Sequence, residues 1–169
     1  MSRTHDNDPE KFSAAISNRI DEGIRNRGHF LLSVADNPPY TYSIGLAEKS
    51  MPEVIILGLG QMPSYDLLNA FCDRLRTGEV FKVGSLVTQI ATVPLKIGAV
   101  HMTQRDTHLL LALDRVEREG KDPNELTAVQ LIWPDPAGKY PGDEGYDGQF
   151  AAQQPLLHLP NMLTPSGRA

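Results

Sequence analysis

Residues 40–60 read YTYSIGLAEKSMPEVIILGLG. Tyr40, Tyr42 and Ile44 alternate with Thr41 and Ser43, which is the period of a strand with one buried face. Val54, Ile55, Ile56 and Leu57 then follow without a break. A short apolar run bounded by turn residues predicts a strand buried on both faces. Gly45, Gly58 and Gly60 mark bends or close backbone approaches. Pro52 stands just ahead of the second strand, where a missing amide donor is tolerated. The two strands, joined by a short polar loop, are expected to form the centre of the sheet.

Upstream, Asp36-Asn37-Pro38-Pro39 is a turn, and residues 29–35 read as a preceding strand. The connections are too short for the crossover that a parallel pair requires, so an antiparallel meander is expected. Further upstream, Asp8, Pro9 and Glu10 combine a capping residue, a proline at the first helical position and an acid at the positive end of the dipole. Phe12, Ile16, Ile20 and Ile24 recur at every fourth position with Ala15 beside them, and Gly28 supplies the stop. Asp21 and Arg25 are spaced to pair on the wet side of this helix.

Downstream, Pro63-Ser64 begins a second helix, with Leu67, Leu68, Phe71, Cys72 and Leu75 at helical spacing and Gly78 at its end. Residues 80–102 read as short strands broken by Gly84, Pro94 and Gly98, a pattern that suggests more antiparallel sheet curling toward a barrel. Thr103 to Asp106 resembles a capping box and opens a third helix with Leu109, Leu113 and Val116 on one face; Asp114 and Arg118 can pair along it. Residues 127–133 form the last clear strand, closed by Pro134. A Gly-, Pro- and Asp-rich loop of about fifteen residues follows.

At 169 residues, 40% hydrophobic and 22% charged, the chain is expected to be one globular domain, 1–169, with flexible tails at 1–7 and 165–169. A formal charge of −5 without any basic run excludes nonspecific nucleic-acid binding as a function class. Cys72 is the single cysteine, so an internal disulfide and a cysteine metal site are excluded. On its apolar stripe Cys72 reads as a small buried hydrophobe. The polar N-terminus and the absence of an apolar run of ~18 residues predict a soluble, cytoplasmic protein without a membrane partner.

Catalytic constellations are absent. The five histidines include no pair at metal-ligand spacing, so no metal site is expected. Asp135, Asp143, Glu144 and Asp147 do not follow a calcium-loop spacing and are expected to cap turns. There is no nucleophile elbow, and Gly58 to Gln61 lacks the lysine and glycine spacing of a phosphate loop. A carboxyl in an apolar site could act as an acid or base, with Asp135 first and Glu53 second in order, although both read better as hydrogen-bond acceptors for backbone amides.

Several segments together are identifiable: YTYSIGL at 40–46, Pro52-Glu53, LLN at 67–69, QLIWPD at 130–135, then Gly138, Tyr140-Pro141 and QPLL at 154–157. In this order they resemble the bacterial family catalogued as domain of unknown function 4262, over roughly residues 28–157. The resemblance implies a tryptophan in many relatives where this chain has Gly142. The resemblance implies no activity and no cofactor. By fold analogy alone, three antiparallel strands, a helix and further curling strands also open split-barrel flavin-binding domains.

The expected fold is α+β, a largely antiparallel, barrel-tending sheet with about three helices. The expected function is a non-catalytic binding or interaction module for a small molecule or protein. Its candidate binding residues are Tyr40, Thr41, Tyr42, Glu53, Trp133 and Asp135. The competing expectation is an enzyme with a flavin-like cofactor pocket lined by Tyr42 and Trp133, with Asp135 nearby.

Overall fold

The computed structural model describes residues 9–161, with side chains from residue 13 onward. The expected flexible tails, the capping Asp8 and the side chain of Phe12 lie outside the described residues. Helix α1 spans Pro9–Arg27 and leads into β1 (Phe30–Val34), β2 (Tyr40–Ile44) and β3 (Glu53–Leu57). These strands pair antiparallel in sequence, β1 with β2 and β2 with β3, as the short connections require. Gly45, at φ 109°, turns β2 into a short 3-10 segment, Leu46–Lys49.

Helix α2 (Gln61–Arg76) follows, then β4 (Leu86–Val87), β5 (Leu95–Ala99), α3 (Met102–His108), α4 (Leu110–Arg118) and β6 (Ala128–Ile132). The six strands form one sheet in the order β1-β2-β3-β6-β5-β4. Strand β6 enters between β3 and β5. It runs parallel to β3 and antiparallel to β5.

Three expectations are corrected here. The sheet is mixed, because the long connection from β3 to β6 carries two strands and three helices and is ample for a parallel crossover. It is open, with β1 and β4 at its edges, and does not close into a barrel. The described residues hold four α-helices, since the expected third helix is broken at Leu109 (φ −100°, ψ 44°). There the Leu111 amide leaves the helical ladder and donates to the Tyr42 hydroxyl at 3.2 Å. The capping-box reading also fails: α3 is capped by His101, whose Nδ1 accepts from the Thr103 amide at 3.2 Å, and Asp106 instead receives Arg105.

The sheet is covered on both sides. Leu68, Phe71, Cys72 and Leu75 of α2 pack with Val54, Ile56, Val129 and Leu131. On the other face Ile20 of α1 and Ala112 and Val116 of α4 pack with Tyr42, Ile44, Ile55 and Leu57. All five β3 residues are buried, as the unbroken apolar run predicts, and each large side chain removed from water contributes roughly 1.5–3 kcal/mol. Strand β2 is buried at all five positions as well, so its Thr41 and Ser43 face packed protein and not water. The helices are tied together by Arg115 of α4, which holds both Asp21 of α1 and Glu48. Asp21 thus pairs across helices, and the expected Asp114–Arg118 pair forms at 3.0 Å.

Candidate functional site

Glu53 opens β3 and is wholly enclosed, at 1% exposure. Its Oε2 accepts the Ser43 hydroxyl at 2.5 Å. Its Oε1 accepts the Gly45 and Ala47 amides, each at 3.0 Å. Ser43 Oγ in turn accepts the Val54 amide at 2.9 Å. A buried acid without such donors would be very costly, and this one is used to hold the turn out of β2. Burial pushes its pKa up from 4.5 to about 7, against the pull of Ser43 and the turn amides. Cys72 is buried in the adjoining core, and that burial pushes its thiol far up, the behaviour of an inert hydrophobe.

The remaining β2 candidates are also internally engaged. Thr41 Oγ1 and Ser33 Oγ lie 2.8 Å apart across the β1–β2 pair. Tyr40 stacks on Tyr42, with ring centroids 6.2 Å apart, and meets the His108 ring edge-on at 5.0 Å. Burial raises the Tyr42 hydroxyl to about 12, so it remains a neutral partner for the Leu111 amide.

Trp133 and Asp135 lie beyond the end of β6. The indole packs against the α2-side cluster, its Nε1 donates to the Leu57 carbonyl at 2.8 Å, and Phe150 meets it edge-on. Gly58 (φ 83°) must be glycine here: a β-carbon would lie 2.3 Å from the Gln153 carbonyl oxygen and 3.1 Å from the indole. Tyr42 belongs to the opposite cluster, so the two side chains expected to line one flavin-like pocket pack into different clusters.

Asp135 organises the loop. Its Oδ1 accepts the Ala137 and Lys139 amides at 2.9 and 2.8 Å, and its Oδ2 accepts the Asp147 amide at 2.9 Å. Burial acts to raise its pKa, but these three donors outweigh it and hold the carboxyl below its ordinary value. Asp143 Oδ2 caps the Tyr140 amide at 2.9 Å and Asp147 Oδ1 the Gln149 amide at 3.1 Å, the turn-capping role expected of these acids. Tyr140 closes over β5, its hydroxyl donating to the Pro94 carbonyl at 2.5 Å and its ring meeting the Lys96 ammonium at 5.9 Å. Asp143, Glu144 and Asp147 face solvent. Among the described residues no three His, Cys, Asp or Glu side chains gather as metal ligands.

Two side chains that shape this region, Gln130 and Gln154, entered the sequence reading only as motif positions and were given no role there. Gln154 grips the Trp133 backbone, its Oε1 accepting the amide and its Nε2 donating to the carbonyl, both at 2.8 Å. Gln130, buried in the middle of β6, donates to the Pro155 carbonyl at 3.0 Å and accepts the Leu157 amide at 2.9 Å. Together they strap residues 154–157 along β6 without forming a strand. The available signal was a glutamine inside an apolar strand, a group that must find partners. His29 and Asn69 form a further missed pair at 2.8 Å. Arg76 Nη1 donates to His29 Nδ1, so Nε2 carries the proton toward Asn69.

An α+β domain with an open mixed sheet between helices, carrying a carboxylate-centred loop at the end of its inserted strand, is thus defined. The chain belongs to the family described as domain of unknown function 4262, whose model matches residues 23–147. That span ends at Asp147, the last residue bound to Asp135, and leaves the glutamine strap outside it. No curated protein matches the chain, and no solved structure does. None of the described helices is long and apolar enough to cross a membrane.

Proposed function

We propose that this chain is a non-catalytic binding module whose docking surface is the loop at residues 133–147, with a partner that presents a basic segment. The observation that carries the reading is the occupancy of Asp135: three backbone amides fill its carboxylate, so the loop is held in one shape before any partner arrives. Preorganisation of that kind lowers the entropy lost on association. The exposed acids Asp143, Glu144 and Asp147 supply a field that favours cationic partners. The strongly buried polar candidates, Glu53, Thr41 and Tyr42, are satisfied inside the fold, which favours structural roles for them. The cytoplasmic and bacterial setting expected from the sequence belongs to the same proposal.

Site-specific photo-crosslinking tests this reading. A photoreactive residue at Glu144 should yield a discrete adduct in cells, and the same probe at Lys121, across the molecule, should not. The adduct should disappear when Asp143 and Asp147 are both changed to Lys. Equal adducts from both positions, or a stoichiometric chromophore in the purified protein's absorption spectrum and native mass, would overturn it.

A further inference from the structure

Where α2 ends, a cavity of about 330 Å³ opens between that helix and the 3-10 turn after β2, away from the loop just described. Its size lies at the low end of the ~300–1,000 Å³ typical of small-molecule sites. Met51, Leu75 and Val80 supply apolar wall, and Lys49, Arg76 and Glu79 stand around it. Val80 is 88% exposed, leaving an apolar surface at the rim that a ligand's hydrocarbon would cover.

The charges around this cavity are unbalanced. Glu79 is neutralised by Arg74, which reaches it through Nε and Nη2 at 2.8–3.1 Å. Asp73 is shared between Arg27 and Arg76. Glu48, beside Lys49 in the chain, is engaged by Arg115. Among the charged residues lining the cavity, Lys49 and Arg76 outnumber the single carboxylate, Glu79, a local positive excess on a chain of formal charge −5. Lys49 is exposed and can reach a ligand anion directly. Arg76 is held in place by His29 and Asp73 through its two Nη groups and adds its positive field to the site.

We propose that this cavity is a binding site for a small amphipathic carboxylate, with the aliphatic part on Met51, Leu75 and Val80 and the anionic head at Lys49. An apolar wall with cations on one side recognises that combination and rejects a neutral molecule of the same shape.

Decanoate, titrated into the full chain and followed by amide NMR shifts and calorimetry, is the probe. Saturable binding at one site is expected, with shifts concentrated in residues 49–51 and 75–80. Lys49→Glu should weaken it by about tenfold, as should replacing decanoate with decanol, since each removes or reverses a partly exposed charge contact. Val80→Asp should weaken it comparably by spoiling the apolar rim. Lys49 and Val80 are exposed, so both variants should keep the wild-type Tm. Equal affinity for decanol, undiminished binding by Lys49→Glu, or no saturable binding below the micellar concentration would each overturn the proposal.

Discussion

Burial drives the pKa of Glu53 upward to about 7, although Ser43 and the turn amides favour its charged form. Between pH 4.5 and 7 the folded chain holds a proton that the unfolded chain has released. Its contribution to stability is therefore full below the unfolded value and is lost as the pH rises through the folded one. His29 works in the opposite sense: burial holds it below 6.5, so its contribution is present above that value and is lost on acidification. Glu53→Gln should flatten the decline in unfolding free energy between about pH 4.5 and pH 7, removing on the order of 3 kcal/mol of pH dependence at ~1.36 kcal/mol per pKa unit. Urea denaturation of both proteins across that range checks it, and an unchanged slope would assign the dependence elsewhere. Asp135→Asn is expected to act locally. Its new amide group cannot accept the Asp147 amide held by Oδ2, so hydrogen exchange should accelerate at residues 136–147 while the sheet amides stay protected.

At the scale of elements, the glutamine strap and the broken helix make separate demands. Gln130→Ala removes the partner of the Pro155 carbonyl and strands the buried Leu157 amide, and leaving a buried group unpaired costs roughly 1–3 kcal/mol. A drop in urea midpoint with faster exchange at Leu157 is expected, and a variant as stable as wild type would mean that the strap contributes nothing. Tyr42→Phe removes only the acceptor for the Leu111 amide. It should cost about 1 kcal/mol, with enhanced exchange confined to the first turn of α4. The first two helices and the three-strand meander were readable because their signals are local: a stripe at every third or fourth position, alternation by two, and connections of a few residues. The break at Leu109 was not readable, since it depends on a hydroxyl from β2 across 69 positions of chain. Asp135 was placed correctly among turn-forming acids by its Gly- and Pro-rich surroundings. The separation of Tyr42 from Trp133 was not readable, because alternation fixes which side of its own strand a residue takes and says nothing of the side taken by a residue on another strand.

Seen as a whole molecule, the sheet has two free edges of unequal character. Around the β4 edge, Val83, Leu86 and Val93 are all exposed. Exposed apolar edge strands are templates for unwanted pairing. Leu86→Lys should reduce concentration-dependent association, measured by sedimentation, without lowering Tm, because Leu86 is 53% exposed and gives up little packing. The parallel pairing of β3 with β6 was the largest feature hidden from the sequence. Its partners, Glu53 and Ala128, are too far apart for any local pattern to record.

That same insertion has a consequence for biosynthesis. While the chain is being made, the nascent meander and α2 emerge first, with β3 lacking the neighbour that will fill its outer edge. The strand that fills it comes late, and its central glutamine waits for Leu157. Completion of the strap therefore waits for Leu157, and a chain terminated between β6 and Leu157 is expected to leave Gln130 in the middle strand without that amide partner.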